Sequence, residues 1–158
     1  MSDFDPPVFV ETPRADALAS VGKRALAQFL DGLVIGIPLL VLTASMGYTL
    51  TDDSISNSEL TWLTVFWVSI NLVYNIVAIA VYGCTLGKRI VGIKVVNRVD
   101  GGRVSWNYSA VRALIPTAVQ LVPVIGPGLS LVVYVRAAFH PLRQGLHDAA
   151  AGTIVVKR

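Results

Sequence analysis

The sequence predicts a mainly α-helical membrane protein: two transmembrane helices, a broken third apolar segment and a small cytoplasmic β-structure. Three observations predict it. The thirteen Lys and Arg residues avoid the sixty positions from Leu26 to Thr85. Two apolar runs fill that gap, Leu26–Met46 with Asp31 as its one charge and Leu60–Tyr82 with none. The segment between them carries Asp52, Asp53 and Glu59 but no basic residue. A helix needs about 20 apolar residues to span the hydrocarbon core, and each run supplies them. Composition agrees, with 54% hydrophobic and 15% charged residues, where soluble domains carry roughly 25% charged.

The remaining bulk features exclude more than they specify. The formal net charge of +3 comes without a dense Lys/Arg stripe beside stacking aromatics, so nucleic acid is not an expected partner. Cys84 is the single cysteine, and no Cys/His cluster has metal-ligand spacing. No metal or other cofactor is expected. Residues 1–20 contain three prolines and lack an apolar signal-peptide core, which predicts a disordered cytoplasmic tail ahead of a membrane domain at 21–158.

The first helix is expected from near Val21 to about Met46, with Lys23 and Arg24 at its cytoplasmic edge and a kink at Pro38. Gly32 and Gly36 form a small-xxx-small pair, suited to packing on the second helix or on a second copy of the chain. The acidic loop 47–61 faces outward by the positive-inside rule. The second helix follows from about Leu60 to Tyr82. Its Asn71 and Asn75 share one face at i, i+4, which serves either interhelical hydrogen bonding or a polar path for a solute or proton.

Beyond it, Leu86, Lys88, Arg89, Ile90 and Ile93 mix apolar and basic character, which predicts a short element on the membrane surface. Lys88, Arg89 and Lys94 are then expected to contact anionic lipid headgroups. Ile93–Asn97 is rich in β-branched residues. The turn signal Asp100-Gly101-Gly102 predicts a hairpin returning through Arg103-Val104-Ser105, with the C-terminal Thr153–Lys157 as an added strand. Ser105 is placed to cap the next helix.

The third apolar region, Tyr108–Phe139, is interrupted at Pro123-Val-Ile-Gly-Pro-Gly128. One full span would carry Arg136, Arg143, Lys157 and Arg158 to the outer face. A re-entrant hairpin, about Trp106–Val122 then Leu129–Phe139, returns the C terminus to the cytoplasm and is preferred.

Three charged positions stand out within this frame. Arg24 and Asp31 lie seven residues apart on nearly one helix face, about 10 Å along the axis. Asp31 sits inside the apolar boundary, where a carboxylate requires a partner or a watery cavity. Asp148 precedes the C-terminal strand. The cluster Arg24, Asp31 and Asp148 serves either to fix the helix ends or to handle ions. Gly83-Cys-Thr-Leu-Gly-Lys88 lacks one spacer of a phosphate loop, and Arg89 replaces its Ser/Thr. His147 adjoins Asp148, but adjacent side chains rarely face each other, and no partnered nucleophile is apparent. No catalytic residue is assigned, and the chain is not expected to be an enzyme.

These motifs, taken together, resemble the RDD family of small bacterial membrane proteins. Lys23-Arg24-x-x-Ala27-x-x-x-Asp31 is similar to its first motif, and Thr85-Leu-Gly-Lys-Arg-Ile-Val-Gly-Ile-Lys-Val-Val96 to its central one. Asp100-Gly101-Gly102 and Arg112 follow in the expected order, and Gln144–Val156 resembles the closing motif. The resemblance covers about residues 20–158. It implies a multi-pass protein of the bacterial inner membrane, and it associates the family with transport, including cation/proton exchange for some members. Two functions are therefore expected alternatives. One is movement of a cation or small solute by an oligomer, with Asp31, Asn71 and Asn75 along the path and Arg24 tuning Asp31. The other is a non-catalytic accessory subunit of a larger membrane complex, or a lipid-organising protein.

Overall fold

The structure, a computed structural model, describes residues 16–48, 55–120 and 135–158. Its elements in chain order are helices α1 (Val21–Ser45), α2 (Asn57–Tyr82) and α3 (Leu86–Val91), strand β1 (Ile93–Asn97), helices α4 (Trp106–Gln120) and α5 (Leu146–Ala150), and strand β2 (Thr153–Lys157). Residues 135–139 are also helical. α1 and α2 are long and apolar enough to cross a membrane.

Local chemistry sets the helix boundaries. Ser20 caps α1 by accepting from the Lys23 N–H at 3.3 Å, and the helix runs on through Pro38. α2 begins three residues earlier than its apolar run predicts, at Asn57. The reason is a capping box: Ser56 Oγ accepts from Glu59 N–H, and Glu59 Oε2 accepts from Ser56 N–H at 2.9 Å. Gly83 closes α2 in the left-handed region, at φ +69°.

The small sheet gathers Leu18, Ala19 and the C-terminal strand beside the α1 N terminus and the α2 C terminus. β1 and β2 pair antiparallel, with Ile93 opposite Lys157 and Asn97 opposite Thr153. On the far side of β2, Leu18 bridges Val156, and Ala19 N–H donates to Val155 O at 3.0 Å. Leu18 and Ala19, expected within a disordered tail, are therefore packed; residues 1–15 lie outside the described residues. The core of this end joins Ala19, Ala27, Ile79, Ile93, Val95, Val104 and Val155.

The predicted return strand at Arg103–Ser105 does not form. The outward N–H groups of β1 are already taken, Val95 by Gly83 O at 2.7 Å and Asn97 by Gly102 O at 3.1 Å. The Asp100-Gly-Gly segment makes a tight turn, and the strand partner comes from the C terminus instead. α4 starts after Ser105 as expected and packs on α2. The predicted break at Pro123–Gly128 lies outside the described residues.

Of the two expected partners for Gly32 and Gly36, α2 is not in contact with them among the described residues. A β-carbon on Gly32 or Gly36 would meet nothing within 4 Å among the described residues. α1 packs on α3, and α2 on α4. Phe29, Val41 and Trp62 stand outward from the two helices, the apolar surface a bilayer would cover.

Candidate functional site: two buried carboxylates and a cavity

Asp31 and Asp148 are both buried, and each is saturated with donors. Asp31 Oδ1 accepts from the Tyr74 hydroxyl at 3.0 Å and the Gly87 N–H at 2.7 Å. Its Oδ2 accepts from the Thr85 hydroxyl and from Lys88 Nζ at 3.3 Å. Four bonds fill the acceptor capacity of an ionised carboxylate. Tyr74 in turn accepts from the Leu86 N–H at 2.8 Å, so α1, α2 and the start of α3 meet at one point.

Gly87 makes that meeting sterically possible. A β-carbon there would press on the Ala27 carbonyl and lie 2.9 Å from Asp31 Cγ. The α3 backbone reaches the carboxylate because the side chain is absent.

Asp148 joins three other elements. Arg24 Nη1 on α1 donates to Oδ2 at 2.9 Å, and Arg112 Nε on α4 donates to Oδ1 at 2.7 Å. At the third position of α5, its Oδ2 also accepts from Gly145 N–H at 3.2 Å. Arg24 continues to the Val155 carbonyl on β2 at 3.4 Å. Burial alone would raise the Asp148 carboxyl, but Arg112 and Arg24 outweigh it and hold the group well below the usual carboxylate range. His147 Nε2 lies 3.4 Å from Asp148 Oδ1, so these neighbours do approach, contrary to the expectation from sequence. Burial nevertheless pushes the imidazole down to about 4, leaving it neutral near pH 7. Lys88 is lowered too, first by burial and then by Arg112.

The sequence-predicted cluster therefore divides. Arg24 pairs with Asp148 and not with its helix neighbour Asp31, whose cation is Lys88. Lys88 corrects a second expectation. It is buried against Asp31, whereas Arg89 and Lys94, the other two predicted headgroup contacts, are exposed. Asn75 Nδ2 bonds within α2, to Asn71 O at 3.0 Å and Asn71 Oδ1 at 2.9 Å. Both amides line a cavity of about 360 Å³ walled by α1, α2 and α4. Arg24, Lys88, Arg112, His147 and Asp148 line it as well. Tyr74, Thr85 and Gly87 were missed as site residues. The signal available was the central motif, where a glycine precedes a lysine in an otherwise apolar element.

Two long apolar helices tied at one end by buried ion pairs and a two-stranded sheet suit a small membrane protein. The chain belongs to the RDD family, whose model matches residues 18–152. It is similar to "Uncharacterized membrane protein YteJ" of Bacillus subtilis (strain 168), with 28% identity covering 89% of this chain and 81% of that protein. It is likewise similar to "Uncharacterized protein YxaI" of the same organism, with 28% identity over 84% of this chain and 93% of that one. No solved structure matches the chain.

Proposed function

We propose that this RDD-family protein is a multi-pass protein of the bacterial inner membrane that moves a small solute as an oligomer, with the cavity between α1, α2 and α4 as its solute chamber. The cavity carries the reading, because it sets the Asn71 and Asn75 amides beside Arg24 and Arg112 within a largely apolar wall. The basic residues Lys23, Arg24, Lys88 and Arg89 cluster near the sheet, which favours a cytoplasmic sheet, N terminus and C terminus, with loop 47–61 outside. α4 starts at the same end as β2, which favours re-entry of the third region over a full crossing.

A small solute suits the chamber better than a cation. Asp31 has no lone pair left for a cation, and Asp148 is spent on two arginines. Two spans are few for alternating access, and the open faces at Gly32 and Gly36 leave room for a second copy. The accessory-subunit reading draws on the same exposed helix faces.

Purified full-length protein in sealed vesicles, under an imposed gradient of a water-soluble alkyl phosphate, a small solute with both anionic and apolar parts, tests the proposal. Flux above protein-free vesicles, reduced in Asn75→Leu, is the expected result. No flux from folded, uniformly oriented protein rejects transport, and copurification of a stoichiometric partner would then favour the accessory role.

A further inference from the structure

The charges around the chamber do not balance. Arg24, Lys88 and Arg112 line it, and Asp148 is the one carboxylate among its described lining residues. Counting Asp31, bonded to Lys88, three cations face two carboxylates. Uncompensated charge away from water is costly, and an anion would offset it. Arg24 Nε is moreover buried with no hydrogen-bond partner among the described residues, although a guanidinium N–H is a strong donor.

The rest of the wall has different chemistry. Phe29, Ile79 and Pro116 line the chamber with apolar surface, and Phe29 is 63% exposed on the outer side of α1. From Val21 to Phe29 the chamber extends about 12 Å along α1 at 1.5 Å per residue. In a membrane spanned by α1, that depth runs from the headgroup level into the acyl chains. A small inorganic anion would satisfy the arginines but leave the apolar wall without a partner. A purely apolar molecule would leave the cationic surplus in place.

We propose that the chamber binds an anionic amphiphile, its phosphate or carboxylate headgroup at Arg24 and Arg112 and its hydrocarbon along Phe29, Ile79 and Pro116. The inference rests on the reading of the cavity as the solute chamber and specifies what enters it. The headgroup offsets the cationic surplus of Arg24, Lys88 and Arg112, and the tail reaches the bilayer past Phe29.

The test uses the full-length protein in mild detergent, titrated separately with short-chain phosphatidylglycerol, with phosphatidylcholine of equal chain length, and with inorganic phosphate. The readouts are the thermal unfolding midpoint and the lipid retained in native mass spectra. Phosphatidylglycerol is expected to raise the midpoint and be retained, with phosphatidylcholine and phosphate doing neither at the same concentration. Gln28, exposed on α1 and lining the cavity, offers a variant that touches no ion pair. Gln28→Glu should weaken phosphatidylglycerol binding about tenfold, or ~1.4 kcal/mol, while its carboxylate, offsetting part of the cationic surplus, leaves the lipid-free midpoint no lower than that of the unmodified protein. Equal responses to the two lipids would overturn anion recognition. Phosphate binding as tight as phosphatidylglycerol would overturn the amphiphile, and undiminished lipid affinity in Gln28→Glu would remove the ligand from the cavity. Lipid binding without vesicle flux rejects transport alone, whereas flux without lipid binding rejects this inference alone.

Discussion

Asp31 and Asp148 solve the same problem with different partners. Asp31, inside the first long helix, holds one cation and three neutral donors, all from α2 and the α3 region. Asp148, in a short helix outside the apolar runs, holds two arginines from α1 and α4. The first centre therefore fastens α3 against the two long helices. The second fastens the C-terminal segment against α1 and α4. Where charge is hardest to bury, the chain uses one lysine and fills the remaining lone pairs with neutral dipoles. Outside the long apolar helices, it concentrates formal charge.

The difference predicts unequal costs of breaking each centre. Asp148→Ala leaves two buried guanidinium groups without their carboxylate, so it should be the most damaging single change, about 3–5 kcal/mol. Denaturant unfolding in detergent measures it, and a loss no larger than for Asp31→Asn would erase the distinction. Next comes pH. The His147 imidazole sits at about 4 in the fold, against a usual 6.5, with Asp148, Arg112, Lys88 and Arg24 facing it. Above pH 6.5 neither state binds the proton. Between 6.5 and 4 only the unfolded chain does, so stability falls with pH across that window by about 3 kcal/mol. His147→Gln should flatten the slope there. Below the usual carboxylate range Asp148 adds a further loss, because its stabilisation is complete only while the unfolded carboxyl is also ionised.

Asp31→Asn should cost less, about 1–3 kcal/mol, since an amide oxygen keeps some of the donors. Restoring balance with Lys88→Met in the same chain should recover part of that loss. The smallest effect belongs to the far end of the helix pair. Ser56→Ala removes the α2 cap and should cost about 1 kcal/mol, leaving both carboxylate centres intact.

Much of this arrangement was legible before the structure. Run length and the missing basic residues placed α1 and α2, and β-branched density placed β1 and β2. Arg24, Asp31 and Asp148 stood out because charge beside apolar sequence demands an explanation. Their pairing was not legible, for a physical reason. Helical spacing put Arg24 and Asp31 on one face, but 10 Å of rise separates them, and partners are chosen by tertiary packing. Lys88 misled in the same way. In a six-residue amphipathic element, only the close approach at Gly87 reveals which face turns inward. The return strand failed because a turn signal specifies the turn and not the partner beyond it. Gly83 and Gly102 had already taken the β1 edge.

The central claim is that Arg24 belongs to Asp148 and not to Asp31. A pair of double-mutant cycles tests it most directly: Arg24→Gln with Asp148→Asn, and Arg24→Gln with Asp31→Asn. The first cycle should give a coupling above about 1 kcal/mol, and the second should be additive within ~0.5 kcal/mol. The reverse ordering would contradict the account.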